Sequence, residues 1–494
     1  MDAAHDDRMI IESAFAAAIA RQFEAAADAT ASGALPARTN RARRRLLLVV
    51  ASLAAACVAV VVGIALSTSH GGSANQAVFA PSNSAGRHEK APVAGAAPSQ
   101  YGDELSEMAP GAAGHVWAWG VTHGTDKDHP GGPLLEVWDG QRWSSLAVPG
   151  NEVYGVAEPV PGDLWVAVTR KRGGRLAHWD GAHWRLYPAI GFTGTSEVSN
   201  VLLAFSPDDV WAVGEASLDP GVSPSPENLR KPWLKGHLTA LHWDGRRWRS
   251  VAMPSLGRGA GEAYLRLLRG SSPDSIWALG SYTQYRRKLV EGKRKWVAVD
   301  EGGEVLLHWD GRRWSRQPLP TGQLATNRRD TFAVDDMAVA PDGALWCAGR
   351  RWFGPDNKGD LFVPVVLRLQ DGRWQIMASS QSASPPGDWR AVMLSSISLT
   401  SEDDVWVSGW ADGGRSVLWH WDGSSWGTTE LDTSHLPGRS AVSRVLALAP
   451  GDVWALFNGS TTVKDGLERL QPSFLHFDGS AWRPIMPPLS PIGP

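Results

Sequence analysis

The sequence has few cysteines, few tyrosines and phenylalanines, and no excess of basic charge. Its two cysteines, Cys57 and Cys347, exclude a disulfide-stapled scaffold and a multi-cysteine metal site. The 48 basic residues are balanced by 51 acidic ones, and the net charge of -3 argues against a nucleic-acid-binding protein. With 43% hydrophobic and 20% charged residues among 494, the composition is that of a globular protein.

One long apolar segment lies near the N-terminus. Residues 46–66 carry no charge, and a helix of this length spans about 30 Å, the thickness of the hydrocarbon core of a bilayer. Arg41, Arg43, Arg44 and Arg45 stand immediately before it, and no comparable cluster follows. The positive-inside rule therefore predicts a single-pass transmembrane helix in the cell membrane, with residues 1–45 in the cytoplasm and the remainder extracytoplasmic.

Two alternatives to an uncleaved anchor remain open. The first is a cleaved secretory signal, although the 45 preceding residues are many for such a signal and its apolar run is usually about 7–15 residues. The second is lipidation at Cys57, because SLAAAC resembles a degenerate bacterial lipobox. The apolar residues that continue beyond Cys57 argue against cleavage there.

The segments on either side of the apolar run differ in character. In the tail, Ile11, Phe15, Ile19 and Phe23 follow one another at i, i+4 spacing, which predicts a short amphipathic helix. This helix either docks a cytoplasmic partner or is a marginal helix without one. Residues 67–100 are dominated by Ser, Gly, Ala and Pro, which predicts a flexible linker with a reach of roughly 30–35 Å.

Beyond residue 100 a two-part unit occurs seven times. Its first part is of the type DVWAVG, its second part is of the type HWDGxxW, and the two alternate strictly. Tryptophan stands in the first part seven times, at the end of the second part seven times and in WDG five times. The repeat thus accounts for 19 of the 26 tryptophans and explains their excess over 6 tyrosines and 11 phenylalanines.

The third copy indicates how each unit folds. Residues 201–206, 210–216, 238–243 and 246–254 have strand character, and turn residues lie between the first and second strands and at Asp244-Gly245. Seven such units predict an all-β fold for residues 101–494, a seven-bladed β-propeller of four-stranded antiparallel blades preceded by one transmembrane α-helix. Each blade is expected to consist of consecutive strands, without a strand exchanged between the first and last blades. The indoles are expected to fill the spacing between blades.

The repeat resembles those of kelch-like and Asp-box-like propellers in bacterial membrane-anchored or secreted proteins. Asp244-Gly245-Arg246-Arg247-Trp248 is similar to the end of the Asp-box, the turn motif of sialidase-type propellers. The unit departs from the Asp-box in lacking the leading Ser and the residue between Asp and Gly, and it lacks the Gly-His landmark of WD repeats. The resemblance covers residues 101–494 and implies the fold; propellers host many unrelated functions.

The repeat predicts two unlike faces of the disk. The tight turns share one face. The other face, which is the expected binding face, carries the long insertions at 217–237, 281–303 and 350–364 and further loops at 121–133, 188–198, 254–262, 320–331 and 380–390. Aromatic residues outside the repeat fall on or beside these insertions, where they either bind a ligand or fold the insertions down as satellite cores. These candidate ligand-binding residues are Trp233, Tyr282, Tyr285, Trp296, Trp352, Phe353, Trp389 and Trp410.

One insertion is strongly basic. Arg286, Arg287, Lys288, Lys293, Arg294 and Lys295 surround Val290 and Gly292. This pattern indicates either a hairpin directed at an anionic polymer or lipid head group, or a solvated polar hairpin.

No catalytic, cofactor or metal motif is recognisable. The repeat histidines His178, His242, His308, His420 and His476 occur once per blade, and the aspartates of the DG turns are typical turn residues, so both sets are expected to be structural. Loop acids such as Glu215, Glu301 and Asp412 leave a glycosidase carboxylate pair open. Cys347 is expected to be a buried, inert thiol.

These observations favour a non-enzymatic binding or scaffold module for an envelope glycan or protein, with no cofactor, no metal and no nucleic-acid partner. Two other functions remain open. One is a cell-surface glycan hydrolase or lyase of sialidase-like propeller type. The other is a transmembrane sensor that signals through the N-terminal tail.

Overall fold

The computed structural model describes the propeller and part of the segment before it. The described residues are 87–89, 102–123, 131–170, 173–188, 200–216, 237–258, 260–290, 293–324, 331–352, 362–379, 392–411, 415–429, 431–438, 441–462 and 468–487. Among them, no helix is long and apolar enough to cross a membrane. The predicted tail helix and the predicted span at 46–66 lie outside the described residues.

The described chain forms seven antiparallel sheets, each with four strands that are consecutive in the sequence, and one of them gains a short fifth strand. Blade 1 contains β2 (Asp103–Pro110), β3 (Val116–Thr122), β4 (Gly132–Trp138) and β5 (Trp143–Ser145). Blade 2 contains β6 (Glu152–Val160), β7 (Asp163–Arg170), β8 (Gly173–Trp179) and β9 (Trp184–Pro188). Blade 3 contains β10 (Leu202–Ser206), β11 (Asp209–Ala216), β12 (His237–Trp243) and β13 (Trp248–Val251).

The remaining blades follow the same order. Blade 4 contains β14 (Ala260–Ser272), β15 (Ser275–Val290), β16 (Lys293–Trp309) and β17 (Trp314–Gln317). Blade 5 contains β18 (Thr331–Val339), β19 (Leu345–Trp352), β20 (Phe362–Gln370) and β21 (Arg373–Ser379). Blade 6 contains β22 (Met393–Ser401), β23 (Asp404–Ala411), β24 (Arg415–Trp421) and β25 (Trp426–Thr429). Blade 7 contains β26 (Ala441–Ala449), β27 (Asp452–Thr462), β28 (Glu468–Phe477) and β29 (Trp482–Ile485).

A few short elements stand outside this pattern. The strand β1 (Arg87–Glu89) pairs antiparallel with β9 at the outer edge of blade 2, within the segment predicted as linker. A 3-10 turn at Ala112–Gly114 joins β2 to β3, and one turn of α-helix, α1 (Thr321–Leu324), follows β17. The prediction of a seven-bladed propeller with four-stranded antiparallel blades is thereby confirmed.

Tryptophan side chains pack the blades against one another, as the repeat predicts. Trp165 of blade 2 lies 5.1 Å from Trp243 of blade 3 between ring centroids, and Trp211 of blade 3 lies 5.0 Å from Trp309 of blade 4. The first-part tryptophan of one blade therefore meets the WDG tryptophan of the next. Offset and edge-on ring pairs at these distances add to the free energy gained from burying the indoles.

Steric contact with the neighbouring strand requires the glycine that ends the first part of the repeat in several blades. The first strand of most blades contains a β-bulge opposite this position, between Leu265 and Leu267 in blade 4 for example. A Cβ added to Gly280 would overlap the carbonyl oxygen of Tyr264 in that bulge, and Gly120, Gly349 and Gly409 face equivalent carbonyls. In these four blades only a residue without a side chain allows the two strands to approach this closely.

The ring closes without an exchanged strand among the described residues. At the seam between blades 7 and 1, Trp143 stacks on Phe474 with ring centroids 4.3 Å apart, and Trp138 lies 5.4 Å from Trp454. These rings belong to one buried cluster shared by the two blades. The seam thus repeats the aromatic packing found between the other blades.

Candidate functional site

The strand order gives the disk two different faces. The connections between first and second strands and between third and fourth strands lie on one face, here called the tight-turn face. The connections between second and third strands and between successive blades lie on the opposite face, here called the long-loop face. The first strand of every blade is innermost, and it runs from the long-loop face to the tight-turn face.

The tight-turn face is built from copies of one turn. In blade 3, the Asp244 carboxylate accepts hydrogen bonds from the backbone N–H groups of Arg246 and Arg247, and Gly245 has a positive φ of 79°. These amide hydrogen bonds, together with Arg249, lower the pKa of Asp244 to about 2. Asp139, Asp180, Asp310, Asp422 and Asp478 make the same pair of amide contacts. The predicted structural role of these aspartates follows from this geometry.

The repeat histidines are held within their own blades. In blade 6, the His420 ring stacks on Trp406 with centroids 4.0 Å apart, and its Nε2 lies 2.7 Å from Asp404 Oδ1. The same Asp404 oxygen accepts a hydrogen bond from Trp406 Nε1. His178, His242 and His476 have equivalent Asp and Trp partners. Each histidine therefore ties the third strand to the second.

Blades 4 and 5 depart from this arrangement in an informative way. In blade 4, Ser275 replaces the aspartate, its Oγ lies 3.3 Å from His308 Nε2, and burial lowers the pKa of His308. In blade 5, Arg368 takes the place of the histidine, with its guanidinium 5.4 Å from the ring centroid of Trp346. Because either histidine or arginine can lie over the repeat tryptophan at this position, we infer that the repeat histidines contribute to packing.

The first strands of all seven blades line a central cavity of about 290 Å³. The lining residues lie in the middle or second half of most of these strands, and in β10 they begin at Leu202, its first residue. Its apolar wall includes Met108, Pro110, Leu202, Val339, Leu399 and Leu446.

Two pairs of charged side chains, here called the charged belt, lie in the wall of this cavity. Arg444 donates to Glu107 across 2.6 Å, and Arg269 donates to Asp336 across 3.3 Å. The second carboxylate oxygen of Asp336 accepts the backbone N–H of Ile397. Because each of these buried carboxylates is paired with a guanidinium group of an adjacent blade, the belt joins neighbouring blades.

Glu158 adds a further carboxylate to the channel wall. Its Oε2 accepts a hydrogen bond from Trp117 Nε1 at 2.8 Å and lies 2.9 Å from His115 Nδ1. Its Oε1 accepts the backbone N–H of Gly162. In blade 1 a histidine stands where blades 2, 3, 6 and 7 have the repeat aspartate, and Glu158 of blade 2 replaces that missing acceptor.

A second polar cluster joins blades 4 and 5 nearer the long-loop face. Arg266 donates to Glu304 across 3.2 Å and to the carbonyl oxygens of Val334 and Asp335. Arg350 binds the Asp335 carboxylate through two hydrogen bonds of 3.0 and 2.6 Å. Burial raises the pKa of Glu304 to about 7, against the opposing effect of Arg266.

The predicted ligand-binding aromatics lie at different depths. Trp410, at the long-loop end of β23, is 39% exposed. Tyr282 is half-buried: its hydroxyl accepts a hydrogen bond from Arg316, whose guanidinium lies over the ring. Tyr285 is buried. Their part in ligand binding stays a prediction.

For the other predicted aromatic residues, the structure describes either the backbone position alone or nothing. Trp296 pairs in register with Arg287, and Trp352 pairs with Thr331 and Phe362 at the end of β19. Trp233, Phe353 and Trp389 lie outside the described residues, as does Asp412. Glu215 and Glu301 are described only as backbone in strands.

The charged belt was not predicted from the sequence, although a signal for it exists. The first strands contribute many buried apolar residues, yet they also contain Glu107, Arg269, Asp336 and Arg444. Charged residues inside strands that must be buried on both sides require partners, and such residues mark a shared polar layer. Among the described residues, no group of three or more His, Cys, Asp or Glu side chains is placed to hold a metal ion.

The known proteins that this chain resembles are distant from it. No protein-family model and no curated protein matches the chain. Among solved structures, an ulvan lyase of a polysaccharide lyase family is 12% identical with a TM-score of 0.46, covering 79% of this chain and 96% of its own. The β-propeller domain of the trilobed protease from Pyrococcus furiosus, described as having an open velcro topology, is 9% identical with a TM-score of 0.43, covering 78% and 96%.

An acylaminoacyl peptidase from Pyrococcus horikoshii is 10% identical with a TM-score of 0.46, covering 77% of this chain and 52% of that one. Likenesses this distant carry no argument about activity or ligand. The candidate site must therefore be argued from the geometry of this chain.

Proposed function

We propose that the chain is a single-pass, membrane-anchored, extracytoplasmic β-propeller that binds an envelope ligand, a glycan or a protein, through its long-loop face. The N-terminal tail is cytoplasmic and offers its amphipathic helix to a cytoplasmic partner. The apolar run at 46–66 and the arginines before it support the anchor and its orientation. The module acts as a binding or scaffold element and not as an enzyme.

The observation that carries this proposal is the difference between the two faces. The tight-turn face repeats one aspartate-centred turn, which the fold itself requires. The long-loop face carries the variable connections, the extended hairpin of β15 and β16 and the exposed Trp410. Functional residues in rigid repeat scaffolds are concentrated on variable connections, because those are free of the demands of packing.

The repeat itself supports a relation to kelch-like and Asp-box-like propellers. Each Asp-Gly turn combines an aspartate that caps two backbone amides with a glycine at positive φ, as Asp310 and Gly311 do in blade 4. This is the part of the Asp-box that the sequence retains. The relation concerns architecture and leaves the ligand to be identified.

The charged groups of the channel favour binding over catalysis. Glu107 and Asp336 are paired with Arg444 and Arg269, and Glu158 accepts three hydrogen bonds. A general acid or base must exchange a proton with substrate, and carboxylates committed to buried partners are poor candidates. A surface hydrolase or lyase is therefore the rival outcome of the experiment below.

The test compares one exposed apolar side chain on each face. The full chain, purified in detergent, is mixed with an extract of the host envelope, and retained components are identified by mass spectrometry. We expect Trp410→Ala to reduce retention of one identified glycan or protein at least tenfold, as the loss of a central aromatic contact does in other interfaces. Val160→Ala is the matched control, because Val160 is 41% exposed and ends β6 at the tight-turn face.

Equal retention by both variants, or an equal loss in both, would contradict the proposed face. Recovery of shortened or chemically altered glycan in place of a retained component would favour the hydrolase or lyase.

A further inference from the structure

The insertion in blade 4 is an extended two-stranded hairpin. The first strand of blade 4 begins at Ala260, which pairs with Gln284. Beyond that point β15 and β16 pair only with each other, from Tyr285 opposite Ala298 to Val290 opposite Lys293. Six residue positions per strand extend about 20 Å. Because the hairpin connects a second strand to a third strand, it leaves the ring from the long-loop face.

The outer part of the hairpin concentrates positive charge. Residues 286–295 contain six basic residues and one acidic residue, a net charge of +5 within a chain whose total is -3. Lys288 and Lys295 stand directly opposite each other in the strand register. Like charges at opposed positions destabilise a strand pair unless a counter-charge is present, so this arrangement points to an anionic partner.

Apolar residues follow the basic ones on each strand. Leu289 and Val290 adjoin Lys288 on one strand, and Trp296 follows Lys295 on the other. A mixture of basic residues with tryptophan and aliphatic residues suits the interface of a bilayer, where indoles reside at the head-group level and cations meet lipid phosphates. A soluble polyanion has no corresponding use for the aliphatic residues.

The direction of the chain adds an independent observation. Asp103 begins β2, a first strand, and therefore lies on the long-loop face. Gly102, the residue before Asp103, consequently joins the ring on the same face from which the hairpin leaves.

We propose that the two strands of the outer hairpin, residues 285–290 and 293–298, bind an anionic phospholipid surface and hold the long-loop face about 20 Å from it. This inference rests on the proposed membrane anchor and extends it. A ligand at the membrane surface would then be bound in the space between the bilayer and the ring.

The experiment uses the full chain reconstituted into lipid nanodiscs. Val290→Cys is labelled with an environment-sensitive fluorophore in a Cys57→Ser background, since the remaining Cys347 is buried. We expect emission to rise and shift to the blue in discs that contain phosphatidylglycerol, and not in discs of phosphatidylcholine alone. The signal should fall at least about fivefold in 0.5 M salt, because exposed charges are then screened within a few ångströms.

Charge reversal supplies the specificity test. Lys288→Glu with Lys295→Glu should abolish the response to phosphatidylglycerol. Arg312→Glu with Arg313→Glu should leave it unchanged, since it alters the net charge equally at exposed residues of the tight-turn face. Equal emission in both lipid compositions, or an equal loss in both double variants, would overturn the inference.

Co-purification with the discs separates the two proposals. A chain that does not remain with the discs contradicts the membrane anchor. A chain that remains with the discs while the fluorophore stays in an aqueous environment contradicts only the hairpin–lipid contact.

Discussion

Asn458 of blade 7 hydrogen-bonds to both backbone groups of Leu105 in blade 1. Its Oδ1 accepts the N–H of Leu105 at 3.2 Å, and its Nδ2 donates to the carbonyl oxygen of Leu105 at 2.6 Å. Leu105 is fully buried, so these groups have no access to water. The asparagine side chain thus makes the two hydrogen bonds that a neighbouring strand would make, and it stabilises the junction between blades 7 and 1.

Asn458→Ala should weaken the seam. Both backbone groups of Leu105 would lose this partner, which corresponds to roughly 2–3 kcal/mol of unfolding free energy. We expect a lower denaturant midpoint and faster amide exchange in β2 and β26 than in the other inner strands. Asn151→Ala, at an exposed position, is the control and should leave both quantities unchanged. Uniform exchange across all inner strands would contradict a role specific to the seam.

Ser275→Asp should stabilise the protein. Blade 4 has a serine where blade 6 has Asp404, and Trp277 Nε1 has no hydrogen-bond partner among the described residues. An aspartate there could accept from both His308 and Trp277, a gain of about 1–2 kcal/mol. Asp404→Ser should produce a loss of similar size.

The pH dependence of that gain has a definite sign. A carboxylate beside His308 raises its folded pKa, which burial at present lowers. The added stability should therefore be largest below the unfolded pKa of about 6.5 and should decline as pH rises through the new folded pKa. A gain that is independent of pH would contradict an ion pair with His308.

Glu136 should make the protein less stable in neutral solution than in mild acid. Burial raises the pKa of Glu136 from its ordinary value of 4.5 to about 7. Ser145 donates a hydrogen bond to one carboxylate oxygen, and the other oxygen has no partner among the described residues. The unfolded chain releases this proton first, so stability should fall as pH rises from about 4.5 to about 7.

Glu136→Gln removes this ionisation. At pH 8 the variant should be more stable by up to about 3 kcal/mol, and the difference should shrink towards pH 4.5. The prediction is checked by denaturant unfolding at several pH values, with tryptophan fluorescence as the signal from which the midpoint is determined. A difference that stays constant with pH would show that Glu136 ionises normally.

Gly280→Ala should be strongly destabilising, by more than about 2 kcal/mol, because its Cβ would meet the carbonyl oxygen of Tyr264. Gly303→Ala in the same blade is the matched control, since no atom lies within 4 Å of the added Cβ. The thermal midpoint of each variant checks the prediction. Equal midpoints would contradict the close approach of the two inner strands.

The repeat made much of the fold predictable, because it places its tryptophans, glycines and turn aspartates at fixed positions in every blade. The strands of the third copy agree with β10 to β13 to within about three residues at each end. The polar contacts in the channel were harder to predict from the sequence. Glu107 and Arg444 are 337 positions apart, and only closure of the ring brings them together.

The candidate binding residues show the same division. The topology assigns the insertions to one face, and that assignment needs only the order of the strands. The depth of each aromatic depends on local packing that the sequence does not reveal: Tyr285 is buried, whereas Trp410 is exposed.

The most direct test of the binding proposal is a hydrogen–deuterium exchange map of the full chain with and without the envelope component that it retains. The account predicts slower exchange in the connections of the long-loop face and at Trp410, with the aspartate-centred turns unchanged. Slower exchange confined to the tight-turn face or to the channel-lining strands would contradict it.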